Sequence, residues 1–365
     1  MSKFEQLQQS LSAAPCAWLV TGVAGFIGSN LLETLLRLGQ KVTGLDNLST
    51  GHEKNLKEVR ASVGAARWKN FRWVEGDIRD AALCRRVARG QDYVLHQAAL
   101  GSVPLSMEDP LQTNDSNVNG FVNLLWAART RGVKRFVFAS SSAVYGDERS
   151  LPQRERKIGH CLSPYAASKR IDELYAEVFA RCYGIETMAL RYFNVFGPRQ
   201  DPNGAYAAVI PKWIAAMIQN EPVAINGDGS TSRDFCYVAN VVQANLLAAT
   251  TQNHEALNQP FNIAVGAQTS LNELFELLRS RLEPTHGHLR SFQPRHGEFR
   301  PGDILHSRAD IGQARRLLGY RPSHNLDQGL AEALDWYVAD FAARRGGVSR
   351  RGRGSVPVRQ IKSLC

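Results

Sequence analysis

Short apolar runs alternate with stretches in which apolar residues recur every three or four positions. The runs fall at 17–21, 42–46, 71–75, 93–97, 135–139 and 187–191, and read as strands. Helical spacing fills the gaps near 26–38, 80–89, 115–131 and 164–183; in the first, Ile27, Leu31, Leu32, Leu35 and Leu36 share one face. Alternation of this kind predicts an α/β fold, a doubly wound parallel sheet of Rossmann type with helices on both faces. After Arg191 the pattern loosens. Glycine and proline cluster at 197–204 and 222–229, and shorter helices are predicted near 209–219 and 271–282. These predict a smaller mixed α/β domain filled from interleaved segments, with Phe261 to Val265 returning to the main sheet.

Phe4, Leu7 and Leu11 predict a short amphipathic helix before the first strand. The first fourteen residues lack an apolar stretch behind a basic start, so they do not read as a secretory signal. No apolar run reaches about 18 residues, so no membrane span is expected.

Composition changes this picture little. The chain has 365 residues, 44% of them apolar, enough for one large or two intimate domains. The net charge of +10 would point to nucleic acid if it were spread over the fold. Seven of those charges (Arg344, Arg345, Arg350, Arg351, Arg353, Arg359 and Lys362) follow residue 343, leaving +3 for the rest. Residues 341–365 therefore read as a basic, disordered tail, and nucleic acid is not the expected partner. Cys16, Cys84, Cys161, Cys182, Cys236 and Cys365 are scattered, with no Cys-x-x-Cys and no His–Cys cluster. Reduced thiols in a cytoplasm, and no metal site, are the expectation.

Three stretches carry chemistry. Gly22, Gly25 and Gly28 lie where the first strand turns into the first large helix. Missing side chains there let backbone N–H groups and the helix N-terminus approach a pyrophosphate. Asp46 ends the second strand, eighteen residues after Gly28. A carboxylate in that place accepts ribose hydroxyls and repels a 2′-phosphate, which favours NAD over NADP, although Lys41 and Lys54 are close in sequence. Beyond the fifth strand, Ser140, Ser141 and Ser142 sit at a carboxyl end, where such sheets bind ligands. Finally, Ser163-Pro164-Tyr165 and Lys169 predict a capped helix on which a phenol and an ammonium share one face. A nearby cation favours the phenolate, turning a poor base into a usable one.

Taken in order, these stretches resemble the extended short-chain dehydrogenase/reductase family, and within it the UDP-hexose 4-epimerases, closest to those acting on UDP-N-acetylhexosamines. The likeness rests on Thr21 to Gly28, Gly44 to Asn47, Gly76-Asp77-Ile78, His96 to Ala99, Ser140 to Asp147, Ser163 to Lys169, Arg191 to Gly197, Arg233-Asp234-Phe235 and Arg300 to Asp303. It covers about residues 16–338.

The resemblance implies bound NAD, with Gly22, Gly25, Phe26, Ile27 and Gly28 at the pyrophosphate and Asp46 and Asn47 at the adenosine ribose. Asp77 and Ile78 would meet the adenine; Ala98, Tyr165 and Lys169 would complete the cofactor site. Tyr165, Lys169 and Ser141 become the catalytic set. Gly101, Ser102, Ser141, Ser142, Asn194, Ala208, Val209, Asn226, Arg233, Arg300, Asp303 and Ser307 would bind the UDP-sugar. Ser307 matches a position that walls the sugar's 2-substituent, so a small residue there leaves room for an acetamido group. Interconversion of UDP-GlcNAc and UDP-GalNAc through a transient 4-keto sugar is the expected activity, with UDP-Glc and UDP-Gal handled less well.

The alternatives are a nucleotide-sugar 4,6-dehydratase or decarboxylase, or a non-catalytic NAD sensor. Where those enzymes carry acids after the fifth strand, this chain has Ser142 and Ala143. His96 reads as a packed strand residue, and the alternative role for Asp234 and Asp303 is to orient neighbouring arginines. The resemblance also implies a homodimer through the helices near 115–131 and 164–183, and supply of surface-polysaccharide precursors. Expected domain limits are 1–190 for the NAD-binding domain, with returning segments near 235–265, and 191–234 plus 266–340 for the substrate domain.

Overall fold

A computed structural model describes residues 1–202, 208–299 and 305–349, with side chains described to Arg344. Seven parallel strands form the central sheet: β1 (Ala17–Thr21), β2 (Lys41–Asp46), β3 (Phe71–Glu75), β4 (Tyr93–His96), β5 (Arg135–Ser141), β6 (Thr187–Tyr192) and the strand Pro260–Ile263. From one edge the order is Pro260–Ile263, β6, β5, β4, β1, β2, β3. The order reverses between β1 and β4, which opens a crevice at their carboxyl ends. β1, β2, β5 and β6 are buried along nearly their whole length because helices cover both faces. β3, at the edge, is only half-buried.

The helices up to the sixth strand are α1 (Lys3–Ala13), α2 (Phe26–Arg37), α3 (Glu53–Trp68), α4 (Ala81–Val87), α5 (Val103–Glu108), α6 (Pro110–Asn114), α7 (Gly120–Thr130) and α8 (Pro164–Tyr183). One face of the sheet packs Leu31, Leu32, Leu35, Val59 and the helix Val238–Thr250 around Trp18 and Val137. The other packs Phe121, Leu124, Leu125 and Phe179 around Leu19, Phe136 and Phe138. A third apolar cluster joins Trp213, Ile214, Phe275, Leu278, Leu330 and Tyr337, beyond the carboxyl ends of the strands. It supports the short strands Ala224–Asn226, Ser232–Arg233 and Thr269–Ser270.

Three elements depart from the periodicity. α3 escaped the pattern: only Leu56, Val59 and Val63 mark its buried face, and Gly64 breaks it at φ +78. The helix expected at 115–131 begins instead as a π turn, Asp115–Asn119, that widens before α7. That turn carries the Asn117 amide, which accepts from the Leu100 amide at 2.8 Å and donates to the Leu100 carbonyl and the Ser168 hydroxyl. At the other end, the helix Leu326–Ser349 runs into the segment expected to be a disordered tail. Arg344 pairs with Asp340 one turn earlier and with Asp201 across the fold, at 2.7 and 3.1 Å. No helix among the described residues is long and apolar enough to cross a membrane.

Candidate active site

A cleft of about 850 Å³ runs along the carboxyl ends of β1, β2, β4, β5 and β6. Its nucleotide end is built from backbone. Gly22 has φ +66, and a side chain on it would meet the Ala98 backbone at 2.8 Å. A Cβ on Gly28 would lie 2.1 Å from the Gly22 carbonyl oxygen. Gly25 is the N-cap of α2 and offers no side chain to the first helical amides. Those amides are left for an anion.

Asp46 closes this end, only 7% exposed. The Ala24 and Leu48 amides donate to its two oxygens at 2.9 and 2.8 Å and fix the carboxylate's plane. Burial raises its pKa, and those amides oppose the rise. Neither lysine near it in sequence competes for the site. Lys41 begins β2 at the opposite end, and Lys54 pairs with Asp340 at 3.0 Å. These residues fit an adenine dinucleotide with a free 2′-hydroxyl.

Mid-cleft, Ser163 caps α8 by accepting from the Ala166 amide, and Pro164 takes the first helical position. Tyr165 and Lys169 line the cleft from this helix, opposite Ser141 at the end of β5. Ser141 accepts from the Ala143 amide at 3.1 Å, while Ser140 turns inward to Glu173 at 2.7 Å. Glu173 also takes two bonds of 2.8 Å from Arg191. That buried pair locks β5, β6 and α8 together, so Ser141 and Tyr165 keep one relative placement.

The sugar end is made of loops. Asn194, at φ +32, donates to the Asp234 carbonyl. Arg233 reaches the Ser232 and Leu305 carbonyls. Ser307 is 7% exposed and held by its amide on the Ser232 carbonyl.

Most residues expected from the sequence meet in this cleft: Gly22, Gly25, Phe26, Ile27, Gly28, Asp46, Asn47, Ile78, Ala98, Gly101, Ser141, Ser142, Tyr165, Lys169, Asn194, Arg233 and Ser307. Five do not line it. Asp77 is turned to Arg79 and Asn47, and Arg79 above all draws its pKa down to about 2. Ser102 caps α5. Ala208 precedes and Val209 begins the helix Val209–Gln219, and Asn226 lies in the short strand Ala224–Asn226. Arg300 and Asp303 lie outside the described residues. Asp234 does not orient an arginine through its carboxylate in the bonds seen; it accepts the amides of Val265, Gly266 and Ala309. His96 is packed, 1% exposed, bonded to Thr21 at 2.7 Å, and burial holds it neutral down to about pH 3.

Sequence reasoning missed Gln153, Leu162 and Ser116, which also line the cleft. The first two come from a loop with no periodicity, so only the fold brings them in. Ser116 sits in the π turn, read as ordinary helix.

Comparison with known proteins agrees with this geometry. The model of the NAD dependent epimerase/dehydratase family matches residues 18–264. A UDP-glucose 4-epimerase of Mycolicibacterium smegmatis is 36% identical over 324 residues, covering 87% of this chain and 97% of the relative. Among solved structures, a UDP-N-acetylglucosamine 4-epimerase from Methanobrevibacter ruminantium, in complex with UDP-N-acetylmuramic acid, superposes with TM-score 0.81 at 38% identity, covering 89% and 99% of the two chains. A dTDP-glucose 4,6-dehydratase from Streptomyces venezuelae with NAD bound gives 0.78 at 31%, covering 90% and 98%. With its parallel sheet, glycine-lined nucleotide end and Tyr–Lys pair, the chain belongs to the NAD-dependent epimerase/dehydratase family and takes NAD as its cofactor.

Proposed function

We propose that the protein interconverts UDP-GlcNAc and UDP-GalNAc by inverting C4 of the sugar, with UDP-Glc and UDP-Gal as poorer substrates. One observation carries the choice of epimerisation. Among the described residues lining the cleft, Asp46 is the sole carboxylate, and it lies at the nucleotide end. Elimination across C5–C6 needs an acid for the departing hydroxyl. Inversion at C4 needs only a base that takes a proton and gives it back.

Tyr165 is that base. It removes the proton of the 4-hydroxyl, with Ser141 sharing the hydrogen bond and Lys169 supplying positive charge beside it. The residues of the nucleotide end would hold NAD, which would supply the hydride acceptor and donor for C4 and leave each turnover unchanged. The intermediate is a 4-keto sugar, planar at C4. Arg233 holds the diphosphate while the sugar turns, with Arg300 as its expected partner; guanidinium forks suit phosphate oxygens. After the turn, the new C–H bond forms on the opposite face of C4, and Tyr165 returns the proton to the 4-oxygen. Ser307 leaves space for a 2-acetamido group. The naming of the Methanobrevibacter relative as a UDP-N-acetylglucosamine enzyme supports that reading, while the UDP-glucose relative shows how close the alternatives lie.

Purified protein with UDP-GlcNAc and no added NAD should yield UDP-GalNAc by proton NMR. Faster conversion of UDP-Glc or UDP-glucuronate would replace the substrate, and a 4-keto-6-deoxy product would replace the reaction. We also propose a homodimer through the outward faces of α7 and α8. Trp126, Leu174, Tyr175, Val178 and Tyr183 stand 40–50% exposed there, side by side. Sedimentation of Val178→Asp as a monomer, against a dimeric parent, is the expected result.

A further inference from the structure

Beneath the lysine lies a second buried charge that this reaction does not use. Asp172 is three residues further along α8 than Lys169, with its side chain 0% exposed. Its Oδ2 accepts from Lys169 Nζ at 3.2 Å, and its Oδ1 has no hydrogen-bond partner. The lysine side chain is itself only 3% exposed, yet it lines the cleft. A carboxylate therefore grips the ammonium from within the protein, and the other N–H donors remain for the cleft.

Few charged groups share this space. His96 of β4 faces Lys169 and stays neutral. Glu173, the next residue on α8, is tied to Arg191 of β6 and to Arg170. Burial pushes the Asp172 carboxyl up, with Glu173 adding to the rise, while the charge and hydrogen bond of Lys169 pull it back toward the ionised form.

We infer that Asp172 is a positioning residue for C4 inversion: it fixes the Lys169 ammonium in the cleft floor, and its charge opposes that ammonium's pull on the Tyr165 hydroxyl. The inference rests on Tyr165 acting as the base. Asp172 and Tyr165 are seven residues apart, about two helical turns or 10 Å. At that separation a unit charge alters an ionisation equilibrium by roughly tenfold in a protein-like dielectric. An asparagine would keep the shape and drop the charge at every pH.

The test compares parent and Asp172→Asn protein in kcat against pH, using whichever UDP-sugar the parent converts. The acid limb of the variant should lie lower by about one pH unit, a tenfold change in proton concentration, with KM little altered. A limb that stays put, or moves up, overturns the inference. A purely structural aspartate would lower kcat evenly across pH, which also overturns it. Tyrosinate absorbance provides a readout free of turnover: the difference between each protein and its Tyr165→Phe counterpart should show the same downward displacement. If the parent converts no UDP-sugar, the reaction proposed above fails, and the absorbance midpoints still decide on Asp172. Asp172→Ser serves the same measurements should the asparagine variant not fold.

Discussion

The nucleotide end and the sugar end of the cleft are built by different means. At the first, backbone does the work: a Cβ on Gly28 would lie 2.1 Å from a carbonyl oxygen, and Asp46 is fixed by two amides. At the second, side chains converge from the Asn194 and Ser307 loops and from Arg233 at the end of a two-residue strand, and Gly101 has nothing within 4 Å of where its Cβ would be. A site made of backbone tolerates almost no substitution. A site made of loop side chains can be rebuilt for another sugar without touching the fold. The solved relatives behave accordingly: proteins named for UDP-N-acetylglucosamine and dTDP-glucose chemistry superpose on this one fold.

The largest expected contrast is between two glycine-to-alanine changes. Gly28→Ala should yield protein that carries no NAD and has no measurable turnover, because α2 cannot keep its approach to the β1 turn. Gly101→Ala should retain NAD in full and change KM for the UDP-sugar by no more than a few-fold. Cofactor content after heat release, read by enzymatic cycling, checks both. Equal NAD content in the two would remove the distinction between the ends.

Next in size is Tyr165→Phe, which separates binding from chemistry. Loss of the phenol should cut kcat by at least about 10²–10⁴-fold while NAD stays bound. The hydroxyl is its only missing atom, and the Tyr165 bonds to Ser106 and Ser168 are made by its backbone. At the sugar end, Ser307→Tyr should fill the space beside the 2-substituent. The kcat/KM ratio for UDP-GlcNAc over UDP-Glc is expected to fall by about tenfold or more. Equal losses for both sugars would mean that the wall lies elsewhere.

This division also explains what could be read from the sequence. Strand–turn–helix junctions leave local marks, so the glycines, Asp46, the Ser140–Ser142 run and the Tyr165–Lys169 spacing stood out from periodicity and residue type, the resemblance picked Ser141 from that run, and all line the cleft. Loops leave no period. Gln153 and Leu162 enter the cleft through long-range packing, where the Gln153 amide donates to the Arg308 carbonyl. Ser102, Ala208, Val209 and Asn226 come from the resemblance alone, and none of them is among the described residues that line the cleft. The role of Asp172 was equally hidden, since a carboxylate three residues after a lysine is an ordinary surface pair until burial makes it otherwise.

The smallest predicted effect concerns pH and again sets one end against the other. His96, beside the nucleotide end, has its pKa pushed by burial to about 3, below its unfolded value of about 6.5. Between those values the unfolded chain binds a proton that the folded chain does not, so stability from this group falls as pH drops. Asp234, at the sugar end, is displaced the other way: burial raises it to about 6, above an unfolded value of about 3.9. There the folded state holds the extra proton, so its contribution is lost as pH rises through that window. Between about pH 4 and 6 the two slopes oppose each other, each at most about 1.4 kcal/mol per pH unit. His96→Asn removes one arm and retains a polar group for Thr21. Compared with the parent in urea melts over that window, its stability should fall as pH rises. Asp234→Asn should show the reverse, a steeper gain with rising pH. If both variants track the parent's pH dependence, neither buried group is held as the geometry implies, and the two ends do not differ in this respect.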